Sequence, residues 1–228
     1  MKSLYSLDCL NFLSQETRAE VIENIRKNDL AHQEEHVLAV VELANELADV
    51  VGIIRPTERR RLLTAAFMHD IACHENRTYH HLIGGIRASV ILLRNEQHIF
   101  TPEDIEEIRV LIAEHRASYS GPRSSVASQV LRLADMGRLD SERFGIRAIE
   151  HRYGQMSKEF ALQETADYLI SKFAPDGYAW ITYPALGQQL YMKEIAMIKS
   201  LCADRDKLIA YLDDVYTYVE KKHGEIMC

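Results

Sequence analysis

Four residues have the types and spacing to do chemistry together: His36, the adjacent pair His69-Asp70, and Asp135. Two imidazoles and two carboxylates make a mixed nitrogen and oxygen ligand set. Such a set suits a borderline or hard divalent ion (Mn, Fe, Co, Ni, Zn or Mg) and not one that prefers thiolates. Alone, a His-Asp dipeptide at a helix end is more often a cap or a surface pair. Here three separate apolar helices each offer a ligand. Adjacent His and Asp can both ligate only where a helix ends or distorts, and the following Ile71-Ala72-Cys73-His74-Glu75-Asn76 permits that. Four protein ligands on an ion that accepts about six leave room for water and a substrate oxygen, the composition of a catalytic site.

The elements that must position these residues are helical. Only 10 Gly and 5 Pro punctuate the chain, and apolar residues between them recur at three- and four-residue steps. Val37, Leu38, Val41, Ala44, Leu47, Ala48 and Val51 form one face of a helix expected to begin near Ala31. Leu62, Leu63, Ala66 and Phe67 form another that runs into His69-Asp70. Thr101 as N-cap, with Pro102 at the first helical position and Glu103 and Asp104 in the first turn, opens a helix expected to reach about His115. After a Gly121-Pro122-Arg123-Ser124-Ser125 loop, Val126, Val130, Leu131, Leu133 and Ala134 deliver Asp135. Beyond Gly145, helical patterns near Phe160–Phe173, Gln188–Leu201 and Lys207–Lys222 are interrupted by an Ala174-Pro175-Asp176-Gly177 turn. Tyr211, Leu212, Val215, Tyr216 and Val219 read as the packing face of the last helix, and Trp180 as a core or pocket residue.

Composition narrows the function. The net charge is −7 and no stretch collects Lys and Arg at the density a groove for a nucleic-acid backbone would need, which disfavours a polymeric nucleic-acid substrate. A small phosphate ester stays open, because a bound cation reverses the local sign of an acidic site. The four cysteines (Cys9, Cys73, Cys202, Cys228) form no CxxC pair, as in a reducing cytoplasm. The N-terminus lacks the apolar run of a signal peptide, and no stretch approaches the roughly 18 apolar residues of a membrane span. A cytoplasmic location is the expectation. Gly84-Gly85 lacks the lysine and preceding glycine of a P-loop.

His36, then His69-Asp70, then Asp135 resembles the H…HD…D signature of the HD superfamily, in which phosphohydrolases of nucleotides and related esters predominate. The likeness extends to the apolar context of His36, the Ala65-Ala66-Phe67-Met68 lead-in to His69-Asp70-Ile71, and Leu133-Ala134 before Asp135. It implies an all-α, HD-domain-like helical bundle with additional C-terminal helices. The domain expectation is one HD-type domain over 1–228, its core at about 31–140 and a helical extension over about 141–228. The added helices can close a pocket, make a homodimer interface or finish the core.

The resemblance also implies roles. His81 and His115 look like the extra ligands of binuclear HD proteins, with Asp70 as bridge. Otherwise they contact phosphate, or are a surface histidine beside His80 and a polar helix end. Glu75 lies near the position of a general acid/base carboxylate in some mononuclear HD nucleotidases. Its plain alternative is a solvated loop residue. Arg116 and Arg138 are candidates for binding an anionic substrate, and His32, one turn before His36, for supporting the ligands. The expected activity is a metal-dependent phosphohydrolase, with one or two divalent ions activating water for attack on phosphorus, acting on a small phosphorylated substrate, in the first place a nucleotide. Alternatives are a di-iron oxygenase that cleaves a C–C or C–P bond and a regulatory HD module without turnover.

Overall fold

A computed structural model describes residues 4–116, 119, 121, 123–137, 144–181 and 183–226. Among them the regular elements are all helical, in agreement with the patterning, and no strand occurs. The chain divides into two compact units, Met1–Arg138 and Leu139–Cys228.

The first unit contains α1 (Gln15–Ile25), α2 (Glu34–Val50), α3 (Pro56–Met68), α4 (His80–Asn95), α5 (Pro102–Glu114) and α6 (Val126–Met136). At its centre is α3, which packs against α2, α5 and α6. Every residue from Leu62 to Met68 is buried, so its C-terminal half is apolar all round, as a helix enclosed by others must be. It ends at Met68, and His69-Asp70 falls in the turns that follow.

Local capping sets several boundaries. Thr101 and Asp104 form a reciprocal capping box, with Pro102 at the first helical turn. Ser125 caps α6 by accepting from the Ser128 amide. The helix expected to begin near Ala31 begins instead at Glu34. Leu30–His32 is a 3-10 turn capped by Asp29, and extended Gln33 (φ −85°, ψ −169°) separates it from α2.

The approach of α4 to α5 depends on Gly85, next to Gly84. A Cβ on Gly84 would lie 3.5 Å from the His69 carbonyl oxygen, and one on Gly85 would lie 3.1 Å from the Arg109 carbonyl oxygen and from its Cγ. Gly84 would take a Cβ at ordinary contact distance, whereas Gly85 serves the close helix contact that brings the start of α4 beside the end of α5. At the far end of α4, fully buried Glu96 accepts from the Ser14 amide (2.8 Å) and hydroxyl (2.6 Å) and so ties down the N-cap of α1.

The second unit contains α7 (Ile146–Glu150), α8 (Lys158–Phe173), α9 (Tyr178–Ile181), α10 (Ala185–Leu190), α11 (Met192–Cys202) and α12 (Arg205–Ile226). Leu208, Leu212, Val215, Tyr216 and Val219 of α12 are buried, and α12 packs on α7 and α8. The Tyr211 hydroxyl donates to the Phe144 carbonyl at 2.9 Å. Trp180 donates to the Phe173 and Ala174 carbonyls, both at 3.0 Å, and lines a cavity of about 340 Å³ with Tyr183, Gln188, Met192, Ile195 and Lys199. No helix among the described residues is long and apolar enough to cross a membrane.

Gly85→Val should force α4 away from α5, because the Arg109 main chain in front of the new Cβ cannot step aside. Urea denaturation should show a loss of about 1–3 kcal/mol. A variant as stable as the parent would contradict the close packing.

Candidate metal centre

Five helix ends or turns converge on the Asp70 carboxylate. His36 comes from the first turn of α2, His69 and Asp70 from just beyond α3, His80 from the start of α4, His115 from the end of α5, and Asp135 from the last turn of α6. On one side of Asp70, His36 Nε2 is 3.2 Å from His69 Nε2 and 3.3 Å from Asp135 Oδ1. Asp70 Oδ2 lies 3.2 Å from His69 Nε2 and 3.5 Å from His36 Nε2. On the other side, Asp70 Oδ1 is 3.3 Å from His80 Nε2 and 3.8 Å from His115 Nε2, and those two nitrogens are 3.2 Å apart. Two groups result, His36/His69/Asp135 and Asp70/His80/His115, each with ligand atoms within 4.8 Å of one another.

The tautomers follow from the backbone. His69 Nδ1 donates to the Ala66 carbonyl (2.8 Å), His80 Nδ1 to the Arg77 carbonyl (2.8 Å) and His115 Nδ1 to the Ile112 carbonyl (2.6 Å). A neutral imidazole with its proton on Nδ1 presents a lone pair at Nε2. Lone pairs therefore face lone pairs across 3.2 Å, and Asp70 Oδ2 is buried with no hydrogen-bond donor. A neutral or anionic guest has no place among them. A divalent cation does, and the nitrogen and oxygen donors match that class.

The same crowding governs protonation. His69 is fully buried, which by itself disfavours its charged form, yet the adjacent Asp70 and nearby Asp135 outweigh this and raise its pKa. Asp70 is held well below the ordinary carboxylate range: burial opposes this, and His69 and His80 prevail. Burial, reinforced by the charge on His69, pushes His115 down to about 3.

Where the structure places the remaining candidates differs from the sequence reading. The histidine brought to Asp70 and His115 is His80, and His81 belongs to neither ligand group. Successive residues on a helix project about 100° apart, so of two adjacent histidines only one can point at Asp70. Burial, with Arg116 and His80 nearby, pushes His81 down to about 4. Glu75 is exposed, is ion-paired with Arg87 at 2.5 Å, and belongs to neither group. Arg116 donates to the Thr78 carbonyl. Arg138 lies outside the described residues. His32 is buried, 2.6 Å from an Asp29 carboxylate oxygen, with its ring 5.9 Å from that of His36.

Asn28 carried no signal in the sequence, being a polar residue in a loop, yet it is buried. Its amide donates to the His32 carbonyl (2.9 Å) and the Asp70 carbonyl (3.0 Å), and its oxygen accepts from the His74 amide (2.8 Å). It fixes the turn that presents Asp70.

Two tests follow. In chelator-free protein, His80→Ala should lower the number of ions bound per chain, whereas His81→Ala should leave it unchanged; the reverse pattern would overturn the geometry. Metal binding should also depend on pH with a definite sign. The raised pKa of His69 means that its proton must leave before Nε2 can ligate, so affinity falls as pH drops through that pKa. The expected loss is about tenfold per pH unit for one displaced proton. Calorimetric titration between pH 6 and 8.5 measures it, and a flat profile would exclude His69 as a proton-competing ligand.

No curated protein and no solved structure matches the chain. Residues 34–140, a stretch that holds all six converging side chains, match the HD domain family model. The HD domain implies a superfamily of metal-dependent phosphohydrolases, and the convergence of histidine and aspartate found here provides groups that could hold metal. Residues 34–140 of this chain thus carry an HD domain, which supports membership of the HD superfamily.

Proposed function

We propose that the protein hydrolyses a small phosphate ester or anhydride, in the first place a nucleotide, with divalent ions held by His36, His69, Asp70 and Asp135 and, on the other side of Asp70, by His80 and His115. The observation that carries this reading is the Asp70 carboxylate, whose two oxygens face separate sets of ligand nitrogens. A bound divalent cation supplies a Lewis acid for the phosphoryl oxygens and lowers the pKa of water. Asp70 holds the two ligand groups in fixed relation and stays ionised. The three Nδ1–carbonyl bonds keep His69, His80 and His115 aimed without a search through rotamers. The chain is net acidic, so attraction of an anionic substrate falls to the centre itself and to cationic side chains near it. Arg116 and Arg77 lie on the segments next to His115 and His80, which makes them candidates for the phosphate or its leaving group. A cytoplasmic setting agrees with the free thiols of Cys9, Cys73 and Cys202.

The paired ligand groups also favour one second reading, a di-iron oxygenase, because six protein donors around a bridging carboxylate would serve two irons equally well. The experiment that separates them is metal analysis of protein purified without chelator, followed by phosphate release from a nucleotide panel with Mn, Co, Mg and Fe. Phosphate release that falls at least about 100-fold in His69→Ala and Asp70→Asn, with the far-UV helical spectrum retained, is the expected result. Two irons per chain with no phosphate released from any nucleotide would favour the oxygenase. Full activity in either variant would remove the site.

A further inference from the structure

The outer face of α4 is apolar from Leu82 to Leu93. Every exposed residue from Leu82 to Leu93 is hydrophobic, namely Leu82 (47 % exposed), Ile86 (60 %), Val90 (57 %) and Leu93 (43 %), and Tyr79 (56 %) precedes them at the N-cap. A surface helix ordinarily turns its charges outward. With about 100° between successive residues, these five side chains fall in one stripe roughly 80° wide. They expose on the order of 500 Å² of apolar surface, the size of patch that marks interaction sites.

The spacing of the stripe points to its occupant. Leu82 and Val90 lie four residues on either side of Ile86, and Tyr79 and Leu93 lie seven on either side. The pattern is therefore the same read from either end. An isologous two-fold interface requires this property, since residue i must meet residue j while j meets i.

We propose that α4 pairs antiparallel with α4 of a second copy of this chain about a two-fold axis at Ile86. Ile86 then meets Ile86 of the partner subunit, Leu82 meets the partner's Val90, and Tyr79 meets the partner's Leu93. Each apolar side chain finds an apolar side chain without a shift of register. The pair covers about 1,000 Å² in total, where specific interfaces begin. Charges beside the stripe do not oppose it. Arg87 is ion-paired with Glu75 and Arg94 with Glu20 within the chain, so two copies approach without bare like charges. The pairing also steadies the helix whose first residue is His80, linking the two metal centres through one layer of packing.

The test is the mass of the full chain in solution, by sedimentation velocity or light scattering. The wild type should be a dimer at about 100 μM, well above a micromolar Kd typical of weaker specific interfaces. Ile86→Glu and Ile86→Lys each put two like charges on the axis and should give monomers, with helical spectrum and metal content unchanged because position 86 is exposed. Mixing the two variants should restore a dimer, since opposite charges then meet. Ile86→Cys should cross-link to itself under mild oxidation, and a tryptic map should place the disulfide between the two substituted peptides. A monomeric wild type overturns the proposal, as does a dimer that survives both charged substitutions. Monomeric variants that fail to pair on mixing overturn the two-fold arrangement.

Discussion

The Asp70 carboxylate lies in a buried site where both oxygens are surrounded by groups that, in their neutral forms, also present lone pairs. In water such an arrangement would be relieved by hydration. Here the side chain is buried, and removing an ion from water without compensation costs several kcal/mol. A typical hydrogen bond returns only about 1 kcal/mol, so local hydrogen bonding does not offset it. Positive charge at the centre does, whether as protons or as a divalent ion that these groups could hold. The raised pKa of His69 and the depressed one of Asp70 express that requirement from two sides.

The ligands sit where helices stop, and the reason is electrostatic as much as geometric. The last carbonyls of a helix lack partners within it. Ala66 near the end of α3 and Ile112 near the end of α5 use theirs to accept Nδ1 of the histidines three residues on. One contact thus engages a carbonyl at the helix end and orients a candidate ligand nitrogen. His80 obtains the same result from the Arg77 carbonyl just before α4. Buried Asn28 serves the Asp70 turn in the same way, joining two loops by one side chain.

The helix α4 serves two environments. Its buried face, thinned to glycine at positions 84 and 85, lets the α4 and α5 histidines come together. Its outer face carries the exposed apolar stripe. The first half of the buried face is small, where the demand is for close backbone approach, and Ile91 and Leu92 fill the second half.

The sequence by itself determined the helical class, from apolar periodicity and the scarcity of Gly and Pro, and it determined the start of α5, where Thr101, Pro102 and the acidic first turn are written in local residues. It also identified the H…HD…D pattern, because that is a matter of residue types in order. Tertiary structure alone decided between His80 and His81. Both stand at the start of one helix, and which of them faces Asp70 depends on the rotation of α4 against α5, a quantity with no local code. The pairing of Glu75 with Arg87 and the burial of Asn28 were likewise decided by contacts 12 and 42 positions apart in the chain. Periodicity reads the angle of a side chain about its own helix. It cannot read how that helix is turned toward its neighbour, and the chemistry of this centre depends on that turn.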